Sequence, residues 1–167
     1  MCTVTFIPSE HTVFLTSNRD EKHRRSPASA PAVYKAASGN ILIPKDGDAG
    51  GTWIAVHENG NAIVFLNESF LAHTPKPPNR KSRGLILTDL IDHPEPYNAF
   101  LDIDLNNIEP FTAIIWDDNR LFECRWNGND KHISELDKSK PHIWSSVTLY
   151  DPTVISKRNR WFEEWVS

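Results

Sequence analysis

The chain has 167 residues, a formal net charge of -4 and 39% hydrophobic residues, which is the size and composition of one folded domain with a real core. Its pI near 5.9 and mean hydropathy of -0.47 give no general attraction to phosphate backbones or anionic lipid, and no stretch approaches membrane-spanning length, so no nucleic acid, no membrane insertion and a cytoplasmic location are expected. Two cysteines, Cys2 and Cys124, are too few for a disulfide framework, and seven scattered histidines lack metal-ligand spacing, so no metal is expected.

In chain order, Thr3-Val4-Thr5-Phe6-Ile7 and Thr12-Val13-Phe14-Leu15-Thr16 are β-branched and aromatic around the turn-like Pro8-Ser9-Glu10-His11, which predicts a hairpin. From Arg24 to Gly51 the sequence reads mostly as loop, with an apolar island from Asn40 to Pro44. Thr52 to His57 and Ala62 to Leu66 flank Glu58-Asn59-Gly60-Asn61, whose Asn-Gly pair tolerates positive φ and signals a second hairpin. The segment HTPKPPNRKSRG carries Lys76, Arg80, Lys81 and Arg83 and reads as a solvated loop on which an anion could dock.

Leu85, Ile86, Leu90 and Ile91 at helical spacing predict a helix from about Ser82 to His93, stopped by Pro94 and Pro96, with a short helix around Tyr97 to Leu101. Phe111 to Trp116 and Leu121 to Trp126, around Asp117-Asp118-Asn119, predict a third hairpin, followed by shorter strands near Lys131 to Leu136 and His142 to Ser146. Asp151 reads as the N-cap of a last helix with Pro152 at its first position and Val154, Ile155, Trp161, Phe162 and Trp165 on one face. Hairpins alternating with helices make the fold class α+β, antiparallel sheet with helices packed on a face.

The first hairpin gives the chain its chemistry. With Ile7 paired to Thr12, Cys2 falls opposite Ser17, and the polar cluster Asn18-Arg19-Asp20-Glu21 arrives beside the start of the chain. Alternation puts Cys2, Val4 and Phe6 on one face with Val13, Leu15, Ser17 and Arg19. A cation beside a thiol lowers its pKa from about 8.5 toward neutrality, so Arg19 is suited to raise the thiolate fraction of Cys2, with Asn18 or Asp20 orienting the pair. Removal of the initiator methionine before a small residue would leave a free α-amine of pKa about 7.7 to 8.0 on Cys2, a base for its own thiol. In the second hairpin, pairing His57 with Ala62 sets Thr52 opposite Asn67, beside Gly50-Gly51, where a substrate is able to approach the backbone. An Asn67 amide there is suited to donate to a developing oxyanion. A strand-end asparagine without function explains that residue as well.

MCTVTF, TSNRDE, GGTWIAVHENGNAIVFLNE and WSSVTLYD resemble the NRDE family of transport and Golgi organisation protein 2-like chains. The resemblance extends over nearly the whole chain and implies the N-terminal nucleophile hydrolase superfamily: antiparallel sheets sandwiched between helices (αββα). It implies Cys2 as nucleophile, Arg19 beside it, Asp20 on its amine and Asn67 in the oxyanion hole; Asn18, Gly51, Thr52 and Ser146, placed by register and position in the sequence, are the candidate substrate-binding or supporting residues. Where similar hydrolases carry a further asparagine, this chain has Trp144-Ser145-Ser146-Val147, so either a hydroxyl replaces the amide or that role is absent. Neither Arg158 nor Arg160 is a secure match to the late arginine of those enzymes. The resemblance also implies one domain over residues 1–167 that lacks C-terminal strands.

Two functions follow. One is a cysteine amidohydrolase that cleaves a non-peptide C–N bond of a small-molecule amide and needs no cofactor. The other, implied by the family's link to haem mobilisation and acyl-CoA or lipid homeostasis, is a non-catalytic protein that binds haem or an acyl ligand.

Overall fold

A computed structural model describes residues 2–19, 26–67, 69–70, 79–146 and 152–167, without the side chains of Cys2, Arg19 and Pro152. Its strands are β1 (Cys2–Pro8), β2 (Val13–Arg19), β3 (Ala32–Lys35), β4 (Asn40–Ile43), β5 (Ile54–His57), β6 (Ala62–Asn67), β7 (Phe111–Asp117), β8 (Arg120–Trp126), β9 (Lys131–Leu136) and β10 (His142–Ser145). Its helices are α1 (Arg83–Ile91), α2 (Pro96–Asp102) and α3 (Pro152–Val166). The strands form two antiparallel sheets, a three-stranded one in the order β10-β1-β2 and a seven-stranded one running β3-β4-β5-β6-β7-β8-β9.

Alternation along the strands divides the core in two. Odd positions of β6, Ile63 and Phe65, pack with Ile86, Leu87, Leu90 and Ile91 of α1 and Phe100 of α2 on the outer face of the large sheet. Even positions, Val64 and Leu66, meet Val4 and Phe6 of β1, Ile114, Leu121 and Trp144 between the sheets. On the far face of the small sheet the Arg158 guanidinium of α3 donates to the Thr3 hydroxyl. The layers therefore run helices, large sheet, small sheet, helix: the expected αββα order.

Helix α1 begins at Ser82, whose hydroxyl accepts from the Leu85 N–H at 3.3 Å, and α2 begins with Pro96; both match the starts read from sequence to within a residue or so. Four expectations change. β3 is a strand where the sequence reads as loop, because its order comes from pairing with β4 (Val33 with Leu42, Tyr34 with Ile41) rather than from its own periodicity. In the first hairpin Pro8 pairs with Val13, so Cys2 lies opposite Arg19 instead of Ser17; a shift of two leaves every residue on its predicted face. In the second, Val56 rather than His57 pairs with Ala62, a slip of one that carries Gly51 rather than Thr52 toward Asn67. On α3, Phe162 is buried but Trp161 and Trp165 are 53% and 72% exposed. The proposed Asp151 cap lies outside the described residues.

Arg80 donates to the carbonyls of Asn106 and Asp104, Lys81 pairs with Asp89, and Arg83 reaches Pro110 and Glu109. These basic residues thus anchor the loop to its neighbours rather than waiting for an anion, and Lys76 lies outside the described residues. Among the described residues no helix is long and apolar enough to cross a membrane.

Candidate active site

β1 is the central strand of the small sheet, so the backbone of Cys2 has a neighbour on each side. On one side the ladder pairs it directly with Arg19. On the other, Thr3 pairs with Ser145, so one further step of that register brings Ser146 across from Cys2. Ser146 is buried and donates a long hydrogen bond, 3.5 Å, to the carbonyl of Asn67 at the end of β6. The leading end of β1 is thus where both sheets terminate together.

A cavity of about 200 Å³ opens there, lined among others by Asn67, Ser69, Arg125, Trp144, Ser146 and Asn159. One carboxylate organises its wall. Glu123 accepts from the Arg125 guanidinium at 2.9 and 3.1 Å and from the Trp144 indole N–H at 2.6 Å. Arg125 then donates at 2.6 Å to the Ser69 carbonyl, two residues past Asn67. Asn67 and Ser146, on different sheets, are therefore tied into one hydrogen-bonded wall through a half-buried ion pair. Ser69 and Ser145 also line this cavity with buried hydroxyls that have no hydrogen-bond partner, and Ser17, paired with Val4 on the same small sheet, has a third. Buried hydroxyls are seldom left unpaired, so the Ser69 and Ser145 hydroxyls at this cavity stand out.

The predicted residues divide as follows. Cys2 and Arg19 are brought together in backbone register, and Asn67 and Ser146 meet at the same end of the fold. Asn18 is exposed opposite Thr3, one position out of phase with Cys2. By alternation Asn67 belongs with Ile63 and Phe65 on the helix side, and what it offers Ser146 is its carbonyl. Gly51 approaches Gly84 so closely that an added Cβ would lie 2.6 Å from the Gly84 carbonyl carbon, which makes it a packing point for α1. The buried Thr52 hydroxyl donates to the Ile54 carbonyl at 2.8 Å. Asp20 lies outside the described residues.

Sequence reasoning missed Glu123, Arg125, Asn159 and the Arg158 contact to Thr3. Their only signal was a pair of charges, Glu123 and Arg125, at alternate positions of the otherwise apolar run Leu121 to Trp126. The second thiol behaves differently from a nucleophile: burial, with a smaller push from the Glu123 charge, raises the Cys124 pKa to about 12, so it stays protonated. Among the described residues no cluster of His, Cys, Asp or Glu is arranged to hold a metal.

A solved structure of penicillin V acylase from Agrobacterium tumefaciens is similar over 81% of this chain and 49% of that chain, with 14% sequence identity and a TM-score of 0.47. The chain therefore spans about half the length of that acylase. No curated relative matches the sequence. The sequence profile described as Transport and Golgi organisation 2 matches residues 1–167, and the chain belongs to that family.

Proposed function

We propose that this chain carries the nucleophilic end of a cysteine amidohydrolase that cleaves a non-peptide C–N bond through Cys2. The observation that supports it best is the register that pairs Cys2 with Arg19 on β2, next to the Thr3–Ser145 pair on the other side of β1. In this reading the α-amine freed by loss of Met1 takes the thiol proton, and Arg19 holds the sulfur as thiolate. The sulfur bonds to the amide carbon, and the carbonyl π pair moves onto oxygen, where amide and hydroxyl donors of the wall stabilise it. The C–N bond breaks as the ammonium returns its proton to the leaving nitrogen. Water then attacks the thioester, releasing the carboxylic acid and the free thiol.

The apolar residues Val4, Phe6 and Leu66 under this end suit an acyl or aromatic substrate portion. A space of about 200 Å³ is below the roughly 300–1,000 Å³ that encloses drug-sized ligands, which favours a short acyl group over a haem macrocycle. Intact mass of the expressed protein checks whether Met1 is removed, and a thiol-directed acyl probe checks the nucleophile. Labelling that Cys2→Ala abolishes, with Cys124 unmodified, supports the enzyme. A haem absorption band with no labelling replaces it by the ligand-binding reading.

A further inference from the structure

The hydrogen bonding around the small cavity says more about what it holds than its volume does. Its lining comes from both faces of β10, an edge strand among the described residues. Trp144 packs between the sheets, so its neighbour Ser145 turns to the opposite face, where Ile155 and Asn159 of α3 close the wall. Across from them stand Ser69, just past β6, and Arg125 of β8. Leu66 and the Trp144 ring are apolar, but hydroxyl, amide and guanidinium groups border the rest.

These polar groups are not used up on one another. Ser69 is only 4% exposed, yet its hydroxyl has no hydrogen-bond partner, and the buried Ser145 hydroxyl has none either. Arg125 carries five N–H groups; two hold Glu123 and one holds the Ser69 carbonyl, which leaves two. Its charge is already met by Glu123. A buried hydroxyl without a partner is costly, and a hydrocarbon in this space leaves that cost in place. A group that both accepts and donates removes it. A carboxylate would do so only by bringing a second negative charge beside Glu123.

We propose that this cavity recognises a short, uncharged hydroxyacyl group, with Ser69 and Arg125 as the residues that select it. The substituent hydroxyl accepts from the spare Arg125 N–H groups and exchanges hydrogen bonds with the serine hydroxyls. The inference rests on the reading of Cys2 as nucleophile: Ser145 pairs with Thr3, next to Cys2 on β1, so the group held here belongs to the acyl side of the amide. A volume of about 200 Å³ admits a short chain and excludes a long one.

The test titrates the full chain carrying Cys2→Ala, so that nothing is turned over, with three amides of nearly equal size. They are 2-hydroxypropanamide, its isostere 2-methylpropanamide, and malonamate, which carries a carboxylate. The Trp144 indole N–H, which donates to Glu123 at the cavity wall, reports occupancy through its NMR resonance, assigned with Trp144→Phe. The hydroxy amide is expected to shift it saturably and to bind roughly tenfold or more tighter than either of the others. Ser69→Ala is expected to erase most of that preference without lowering urea stability, because the hydroxyl it removes has no partner. Ser145→Ala is the second variant if the first does not fold. Equal affinity for the hydroxy and methyl amides, tighter binding of the methyl amide or of malonamate, or no saturable shift with any of them would overturn the proposal. Activated esters of the same hydroxy and methyl acyl groups, offered to the unsubstituted chain, separate it from the reading of Cys2. Labelling of Cys2 that is indifferent to the hydroxyl overturns the recognition alone, whereas selective binding without labelling removes the nucleophile and upholds the recognition.

Discussion

Ser146 and Asn67 are joined by a hydroxyl-to-carbonyl hydrogen bond, although Asn67 ends β6 of the large sheet and Ser146 directly follows β10 of the small one. That contact closes the sandwich at the one end where β1 begins, so the chemistry proposed for Cys2 depends on how firmly the two sheets are held together there. The following expectations probe that dependence.

Replacing Arg19 with glutamine removes the positive charge of the residue that the ladder pairs with Cys2. The Cys2 thiol pKa is expected to rise toward the unperturbed value of about 8.5. The pH dependence of iodoacetamide alkylation, followed by mass spectrometry of the Cys2 peptide, measures it; an unchanged midpoint would remove Arg19 from the mechanism.

Cys124 is fully buried and its thiol pKa is raised to about 12. It is expected to resist alkylation in the folded protein throughout the ordinary pH range and to react once urea unfolds the chain. Native-state labelling at Cys124 as fast as at Cys2 would contradict this.

Arg125 serves Glu123 and the Ser69 carbonyl at once, and its side chain is only 22% exposed. Arg125→Met would strand the Glu123 carboxylate and is expected to destabilise the fold by about 1–3 kcal/mol, the range for charge-assisted hydrogen bonds. Urea unfolding provides the value. A change within a few tenths would mean that the pair is solvated rather than structural.

Phe6 is completely buried between the sheets. Truncation to alanine is expected to cost about 3–5 kcal/mol, since transfer and cavity terms add. Thermal or urea unfolding tests it, and a cost under about 1 kcal/mol would show that the sheets do not depend on this contact.

Two acids shift in opposite directions and separate by pH. At Asp92 burial pushes the pKa up but is outweighed by the N–H groups of Ser38 and Ala37 and the Ser38 hydroxyl, with help from His57, so the net shift is downward. Its stability contribution is present above the unfolded pKa of about 3.9 and is lost as pH falls through the lower folded value. Asp117 is raised, by burial and by the Glu95 and Asp118 charges, against the Tyr97 N–H and the Asn61 amide. Its contribution is present below about 3.9 and lost as pH rises through the higher folded value. In Asp92→Asn the acid-side fall in urea stability is therefore expected to flatten; an unaltered acid limb would rule out the assignment.

Much of the local architecture was legible in the residues. The third hairpin is the clearest case. Asp118 and Asn119 adopt φ of 45° and 61°, a conformation these two residue types tolerate, and Trp116 pairs with Leu121 as the turn requires. The second hairpin contains a strong Asn-Gly signal yet slips by one residue. Its loop is held by distant groups: the Asn61 amide donates to the Asp117 carboxylate at 2.9 Å and to the Pro94 carbonyl at 3.0 Å. Turn propensity acts through adjacent residues, whereas those partners arrive only when the sheet and α2 are assembled.

By itself, then, the sequence determined three of the hairpins and the three helices, which face of β1 and β2 is apolar, and that Asn18 to Glu21 return to the start of the chain, because side-chain periodicity and turn geometry are local. Only the tertiary structure decided that β10 pairs with β1 up to Thr3 and Ser145, that Glu123 and Arg125 brace the cavity wall by Trp144 and Ser69, and that Trp161 and Trp165 stay exposed. A period of 3.6 or 2 tells which residues share a face, but what lies against that face depends on chain segments far away in sequence.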